Sequence, residues 1–283
     1  VSVSDGAPPT ADRPLGPIGH VHALTAPAWL GGDVLVGTHQ GVLRWSNARG
    51  WSAVGAATHD LMGLTADPER SGVLYASGHP DLRTDLANPL GLVVSEDGGR
   101  SWSARSLAGS ADFHAMAAGA DALWAWNALR SETVRSFDGG RTWEAGDDGT
   151  LAPAGPVLAL SADGAAGNGV LAATARGVWH TEGDGAWRPI AFGDSPVTAV
   201  HAGHDAIWVY VAGDGPGLVR SDDRGATWRS VPVGLGLGAA VIAIVATHED
   251  PTRVFAATAN GDLLHTVDGG ATWNASMTAG APH

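Results

Sequence analysis

One short phrase recurs along the 283-residue chain, and it limits the possible folds more than any other feature. It reads SEDGGRSW at Ser95–Trp102, SFDGGRTW at Ser136–Trp143, TEGDGAW at Thr181–Trp187, SDDRGATW at Ser221–Trp228 and TVDGGATW at Thr266–Trp273. An eroded sixth copy, RWSNARGW, spans Arg44–Trp51. The closing tryptophans lie 51, 41, 44, 41 and 45 residues apart. A period of that length means stacked repeats, each burying its apolar face against its neighbours.

Each copy has a direct physical reading. The acidic residue and the glycines suit a tight turn, in which a carboxylate accepts hydrogen bonds from turn amides and glycine supplies positive φ. The tryptophan then opens a strand and wedges a large ring between units. Three strand-like runs precede each turn. In the first unit they are 20–26, 33–38 and 41–46, with a fourth run at 51–54 after the turn. Four strands per unit, repeated six times, predict an all-β six-bladed β-propeller over residues 20–283. Residues 1–19, rich in Pro, Gly and Asp and without a signal-peptide pattern, are expected to be a flexible linker at a trimmed mature end.

The pattern S-x-D-G-G-x-S/T-W resembles the Asp-box of sialidase-type (BNR) repeats, found in sialidases, sortilin-like receptors and some xyloglucan hydrolases. The resemblance covers residues 20–275 and implies outer-rim turns that are structural. The segments HVHAL, THQGV, DLMGLT, SGHPDL and ADFHAM further resemble a secreted bacterial Asp-box family described as glycosylhydrolase-like. That likeness implies a location outside the cytoplasm, in the envelope or beyond.

Composition removes several functions. There is no cysteine, so no disulfide, thiolate metal site or cysteine nucleophile exists. All 16 basic residues are arginine, which excludes lysine chemistry. A net charge of −13 disfavours nucleic acid and anionic lipid. No apolar run is long enough to span a bilayer, and a monomer is expected.

Overlaying the units aligns their innermost strands. One column holds His22, Met62, His114, Leu158, Thr198 and Ile242; two residues earlier stand His20, Asp60, Asp112, Pro156, Pro196 and Ala240. Both columns are expected on one side of their strands. The loop joining second and third strands opens on the same face and brings His39, His79, Asp81 and Asn127. In blade two it carries an insertion, Pro80–Leu90. His20, His22, His39, His59, Met62, His79, Asp81, Asp112 and His114 are therefore expected to converge on one half of one channel mouth.

Imidazoles gathered in this way suit a transition metal. His20, His22, His39, Met62, His79 and His114 are the candidate ligands. The Met62 thioether tilts the expectation toward a copper ion, with zinc the alternative. Asp60, Asp81 and Asp112 are candidate ligands or orienting groups. If the protein is instead a glycoside hydrolase, these carboxylates, with Asp85, are the candidate acid and base. The glutamates are expected on the opposite face or in outer turns. The third alternative is a scaffold that binds carbohydrate or a partner protein, with Trp29, Trp124, Trp126 or Trp208 as stacking surfaces. His180 and His265 read as structural, and His201, His204 and His248 fall at the far face.

Overall fold

The computed structural model describes Leu15 and residues 18–146, 148–164, 169–183, 185–235 and 239–283. Six antiparallel sheets follow one another along the chain, each made of strands contiguous in sequence. Blade one is Val21–Thr25, Val34–Thr38, Gly41–Ser46 and Gly50–Ala53. The inner strands of blades two to six are Asp60–Ala66, Phe113–Ala118, Val157–Ala162, Val197–Ala202 and Val241–Ala246. Each lies against the next, and that of blade six lies against that of blade one, closing the ring. Blade six adds a short fifth strand, Ala281–Pro282.

The repeated phrase forms the turn between third and fourth strands. In blade two, Asp97 Oδ1 accepts the Ser101 amide at 2.9 Å and Oδ2 accepts the Ser101 hydroxyl at 2.6 Å. Ser95 Oγ donates to Asp97 and accepts the Gly99 amide, both at 2.8 Å. The same bonds recur around Asp138, Asp223 and Asp268. Burial works against ionisation of Asp97, but hydrogen bonds from Ser101, Ser95 and Arg100 outweigh it and hold the carboxyl below its usual range. At Asp268 the bonds from Thr272 and Thr266 bring the pKa down to about 2.

The closing tryptophans stand just before the outer strands, except Trp51, which lies within its own, and they pack toward the preceding blade. Trp187 meets Trp124 edge-on at 5.8 Å, and Trp228 meets Phe192 at 5.2 Å. Side-chain hydroxyls bridge neighbouring blades as well: Ser77 Oγ, on the second strand of blade two, accepts the Phe113 amide at 3.0 Å, and Ser161 Oγ, on the inner strand of blade four, accepts the Ala202 amide at 2.9 Å. The inner strands of blades two and three approach so closely that a Cβ on Gly63 would lie 2.5 Å from the Phe113 carbonyl oxygen.

The ring closes without strand exchange, as the contiguous first blade predicts. Val21, Val34, Leu43 and Trp45 of blade one form one apolar cluster with Phe255, Leu263 and Met277 of blade six. Trp51 Nε1 donates to the Ser276 carbonyl at 2.9 Å across the seam. Of the stretch expected as a linker, residues 1–14, 16 and 17 lie outside the described residues. Ile18 is buried in the seam cluster, and its amide donates to the Gly280 carbonyl at 2.8 Å.

Candidate metal centre

A bulge recurs in all six inner strands and decides where the site residues stand. In blade one Val21 pairs with Thr38 and Ala23 with Gly37, leaving His22 as the extra residue. Met62, His114, Leu158, Thr198 and Ile242 are the extra residues of the other blades. A bulge breaks the two-residue alternation and re-aims one side chain. The strict alternation is lost, yet Asp112 and His114 of the two columns still meet, at 2.8 Å, whereas His20 supplies no atom to either donor group. His22 and His114 line a cavity of about 70 Å³ on the channel axis, faced by Leu158, Val200 and Ile242 from the other half of the ring. His20 is exposed above it.

A second column emerges from the hydrogen bonding. Ala128, Ala175, Ala212 and Ala259 each donate an amide to the residue that enters the inner strand of their own blade: Asp112, Pro156, Pro196 and Ala240. The corresponding residue of blade two is His79, paired with Asp60, and that of blade one is His39. Alanine satisfies the packing in four blades, and histidine replaces it in two neighbouring ones. The blade-three member is Ala128, beside the Asn127 that the sequence suggested.

Two groups of donors result, each joining one blade to the entry residue of the next. In the first, His22 Nε2, His39 Nδ1 and Asp60 Oδ1 converge. The two nitrogens are 3.3 Å apart, and the carboxylate oxygen lies 3.3 Å from His22 and 2.9 Å from His39. Asp60 Oδ1 is buried, and neither ring directs a well-aligned N–H toward it. His22 is pushed down to about 4, by burial first, against the opposing pull of Asp60 and with help from His39, His20 and His114. It is a neutral imidazole at pH 7.

In the second group, His79 Nε2, Asp112 Oδ2 and His114 Nε2 converge. His114 is 2.8 Å from Asp112, and His79 is 3.7 Å from the same oxygen. The bond to Asp112 raises the His114 pKa, with burial opposing. His79 Nδ1 donates to Asn88 Oδ1 at 2.8 Å, which turns Nε2 toward Asp112. Asn88 belongs to the Pro80–Leu90 insertion, and its part is not visible from residue type alone.

Other expected members stand apart. His20 stacks 5.5 Å from His39 but supplies no atom to either group. Met62 is half-buried at its bulge, on the blade between His22 and His114. Asp81 is taken up by Arg83, whose Nε donates at 2.9 Å, and by the Thr58 hydroxyl; together these hold it well below the usual carboxylate range. His59 Nδ1 accepts the Asp81 amide at 3.1 Å, and burial lowers its pKa. Asp85 is exposed. His180 lies 3.4 Å from buried Asp163, and His265 bonds Ser276 at 2.7 Å within the seam. Neither joins the mouth. One expectation is corrected: Glu132 is on the site face, because it pairs directly with Asn127 across the hairpin, and Asn127 Nδ2 approaches its carboxylate at 3.4 Å.

No protein-family model matches the chain. No curated protein sequence matches it either. Among solved structures, the chain is similar to the GH74 enzyme of Niastella koreensis, at 16% identity over 94% of this chain and 46% of that one, with a TM-score of 0.66. It is also similar to the GH74 xyloglucanase of Xanthomonas campestris, at 18% identity over 93% and 46%, TM-score 0.62. A third likeness is to YCF48 bound to D1 peptide, at 18% identity over 97% and 90%, TM-score 0.56. The chain thus spans less than half the length of the two GH74 enzymes. At these identities the likeness establishes the propeller fold. Among the described residues, no helix is long and apolar enough to cross a membrane.

Proposed function

We propose that the protein binds a transition-metal ion at the channel mouth, with His22, His39 and Asp60 as the primary ligands and His79, Asp112 and His114 as a second set. The carrying observation is the triangle of His22 Nε2, His39 Nδ1 and Asp60 Oδ1, with edges of 2.9 to 3.3 Å. Protons cannot satisfy three such edges at once. A point about 2.1 Å from all three atoms lies just off their plane, matching zinc–imidazole and zinc–carboxylate bond lengths. Two imidazoles and a carboxylate suit zinc or copper(II). Preference for copper(I) would require the Met62 thioether to turn into the group.

Calorimetric titration with Zn(II) and Cu(II) tests the proposal. The wild type should take up metal near stoichiometrically. His39→Ala and Asp60→Asn should each weaken uptake about tenfold or more, with the melting transition retained. Unchanged affinity in both variants would refute the ligand set.

A second reading keeps the mouth for carbohydrate or for a partner protein, in line with the xyloglucanase and the peptide-bound YCF48 among the structural relatives. Asp112 supports it, being buried with an Oδ1 that has no hydrogen-bond partner among the described residues. Hydrolysis of β-glucans that disappears in Asp112→Asn and survives metal removal would favour this reading. A location outside the cytoplasm remains part of the proposal.

A further inference from the structure

We propose that a separate cavity between blades two and three binds a single neutral sugar ring. It has a volume of about 220 Å³, lies on the same face as the metal groups, and uses none of their side chains. Its origin is a short strand. The outer strand of blade three is only Glu144–Ala145, where blades one, two and four have four residues. Beyond Ala145, Gly146 donates to the Thr133 carbonyl at 2.8 Å, and a Cβ there would lie 2.3 Å from the Thr133 hydroxyl. Val134 still pairs with Ala145, and among the described residues the ladder goes no further than Gly146, so Glu132, at the start of the third strand, has no partner from the outer strand.

The lining has two characters. Trp143 and Phe113, with ring centroids 4.8 Å apart, give an aromatic wall. Asn127, Glu132, Arg130 and Ser110 supply the polar rim. Asn127 is buried; its Oδ1 accepts the Asp112 amide at 3.2 Å and its Nδ2 reaches Glu132 at 3.4 Å. Among the described residues nothing pairs with the second hydrogen of that amide. A buried donor of this kind calls for an acceptor from a ligand or water.

Charge narrows the ligand. Glu132 faces the Arg130 guanidinium at 3.9 Å, and Glu144 faces that of Arg135 at 3.7 Å. With each carboxylate already opposed by a cation, no net charge is left to select an ion of either sign. An apolar ligand would leave the Asn127 amide and the Glu132 carboxylate desolvated. The volume is below the roughly 300 Å³ at which sites for drug-sized molecules begin. A pyranose meets all three conditions, with one C–H face for Trp143 and a ring of hydroxyls for Asn127, Glu132 and Arg130. The metal proposal is not needed for this one, because the residues differ.

The test is a titration of the metal-free, isotope-labelled protein with methyl β-D-glucopyranoside, methyl β-D-galactopyranoside and methyl α-D-mannopyranoside, followed by amide NMR. At least one glycoside should give saturable shifts at Ser110, the Asn127 side chain and the Trp143 indole, with the millimolar affinity expected of so small a ligand. Glu132→Gln should weaken it about tenfold, the effect of losing one charge-assisted hydrogen bond. Ser110→Phe, which fills the cavity from an exposed position, should abolish it while the spectrum elsewhere is unchanged. Absence of saturable shifts with all three glycosides would overturn the proposal, as would binding that survives Ser110→Phe. So would shifts at these amides produced by choline or arginine methyl ester in place of the sugars.

Discussion

Replacing Gly41 by alanine should cost far more than the same change at Gly217, although both residues open the third strand of their blade. Both have left-handed backbones, with φ of +88° and +77°. An alanine there pays about 1–2 kcal/mol for the conformation. At Gly217 nothing lies within 4 Å of the added Cβ, so the cost ends there. At Gly41 the Cβ would stand 2.2 Å from the Ala57 carbonyl oxygen, on the segment leading into blade two. Backbone in that position yields only by moving the blade connection, which adds about 1–3 kcal/mol. Gly41→Ala should therefore destabilise by about 2–5 kcal/mol and Gly217→Ala by about 1–2 kcal/mol. Urea unfolding measures both through the midpoint at constant slope. Because Gly41 closes the hairpin that carries His39, its variant should also bind metal more weakly. Equal losses of stability at the two sites would refute the argument that the blade contact, rather than backbone conformation alone, fixes this glycine.

Further outcomes concern the turns, the wedges and the mouth. The carboxylates of the repeated turns have depressed folded-state pKa values, so their contribution is present above the unfolded value and lost as pH falls through the folded one. For Asp268 that window runs from about 4 down to about 2, and a variant with Asn at Asp97, Asp138, Asp223 and Asp268 should show a lower Tm at pH 7 and a shallower fall in acid; an unchanged acid slope would contradict the reading. Trp187→Ala should cost about 3–5 kcal/mol in urea unfolding, and Trp102→Ala less, because Trp187 is fully buried against Trp124 while Trp102 is partly exposed. Asn88→Ala should weaken metal retention by the second group about 10- to 100-fold and leave the first untouched, as calorimetry would resolve. Asp81→Asn should leave metal affinity unchanged, since its carboxylate is held by Arg83 and Thr58.

The blade count, the strand runs and the outer-turn chemistry are all legible in the repeated phrase, because turn residues and a wedge tryptophan impose local geometry wherever they occur. The polar half of the mouth is legible for the same reason, since equivalent positions can be overlaid without coordinates. What the overlay misses is the bulge. His22, Met62 and His114 are extra residues rather than members of a regular alternation, so alternation alone does not decide which entry residues reach the donor groups: Asp60 and Asp112 do, and His20 does not. The alanine column at 128, 175, 212 and 259 gives His39 and His79 their meaning, and it appears only once the pairing register is known. Glu132 departs from the other glutamates because it stands opposite Asn127 in the hairpin of blade three, a pairing that only the register makes plain. Asn88 orients His79 from within an insertion that has no counterpart in the other blades, so no overlay reaches it.

X-ray absorption on protein loaded with one equivalent of Zn(II) and cleared of free metal tests the central claim most directly. The prediction is a four- or five-coordinate shell of nitrogen and oxygen near 2.0–2.1 Å, with outer-shell scattering from two imidazoles that is lost when His22→Ala, His39→Ala, His79→Ala and His114→Ala are combined. A six-oxygen shell without imidazole scattering, or protein that retains no zinc at all, would contradict it.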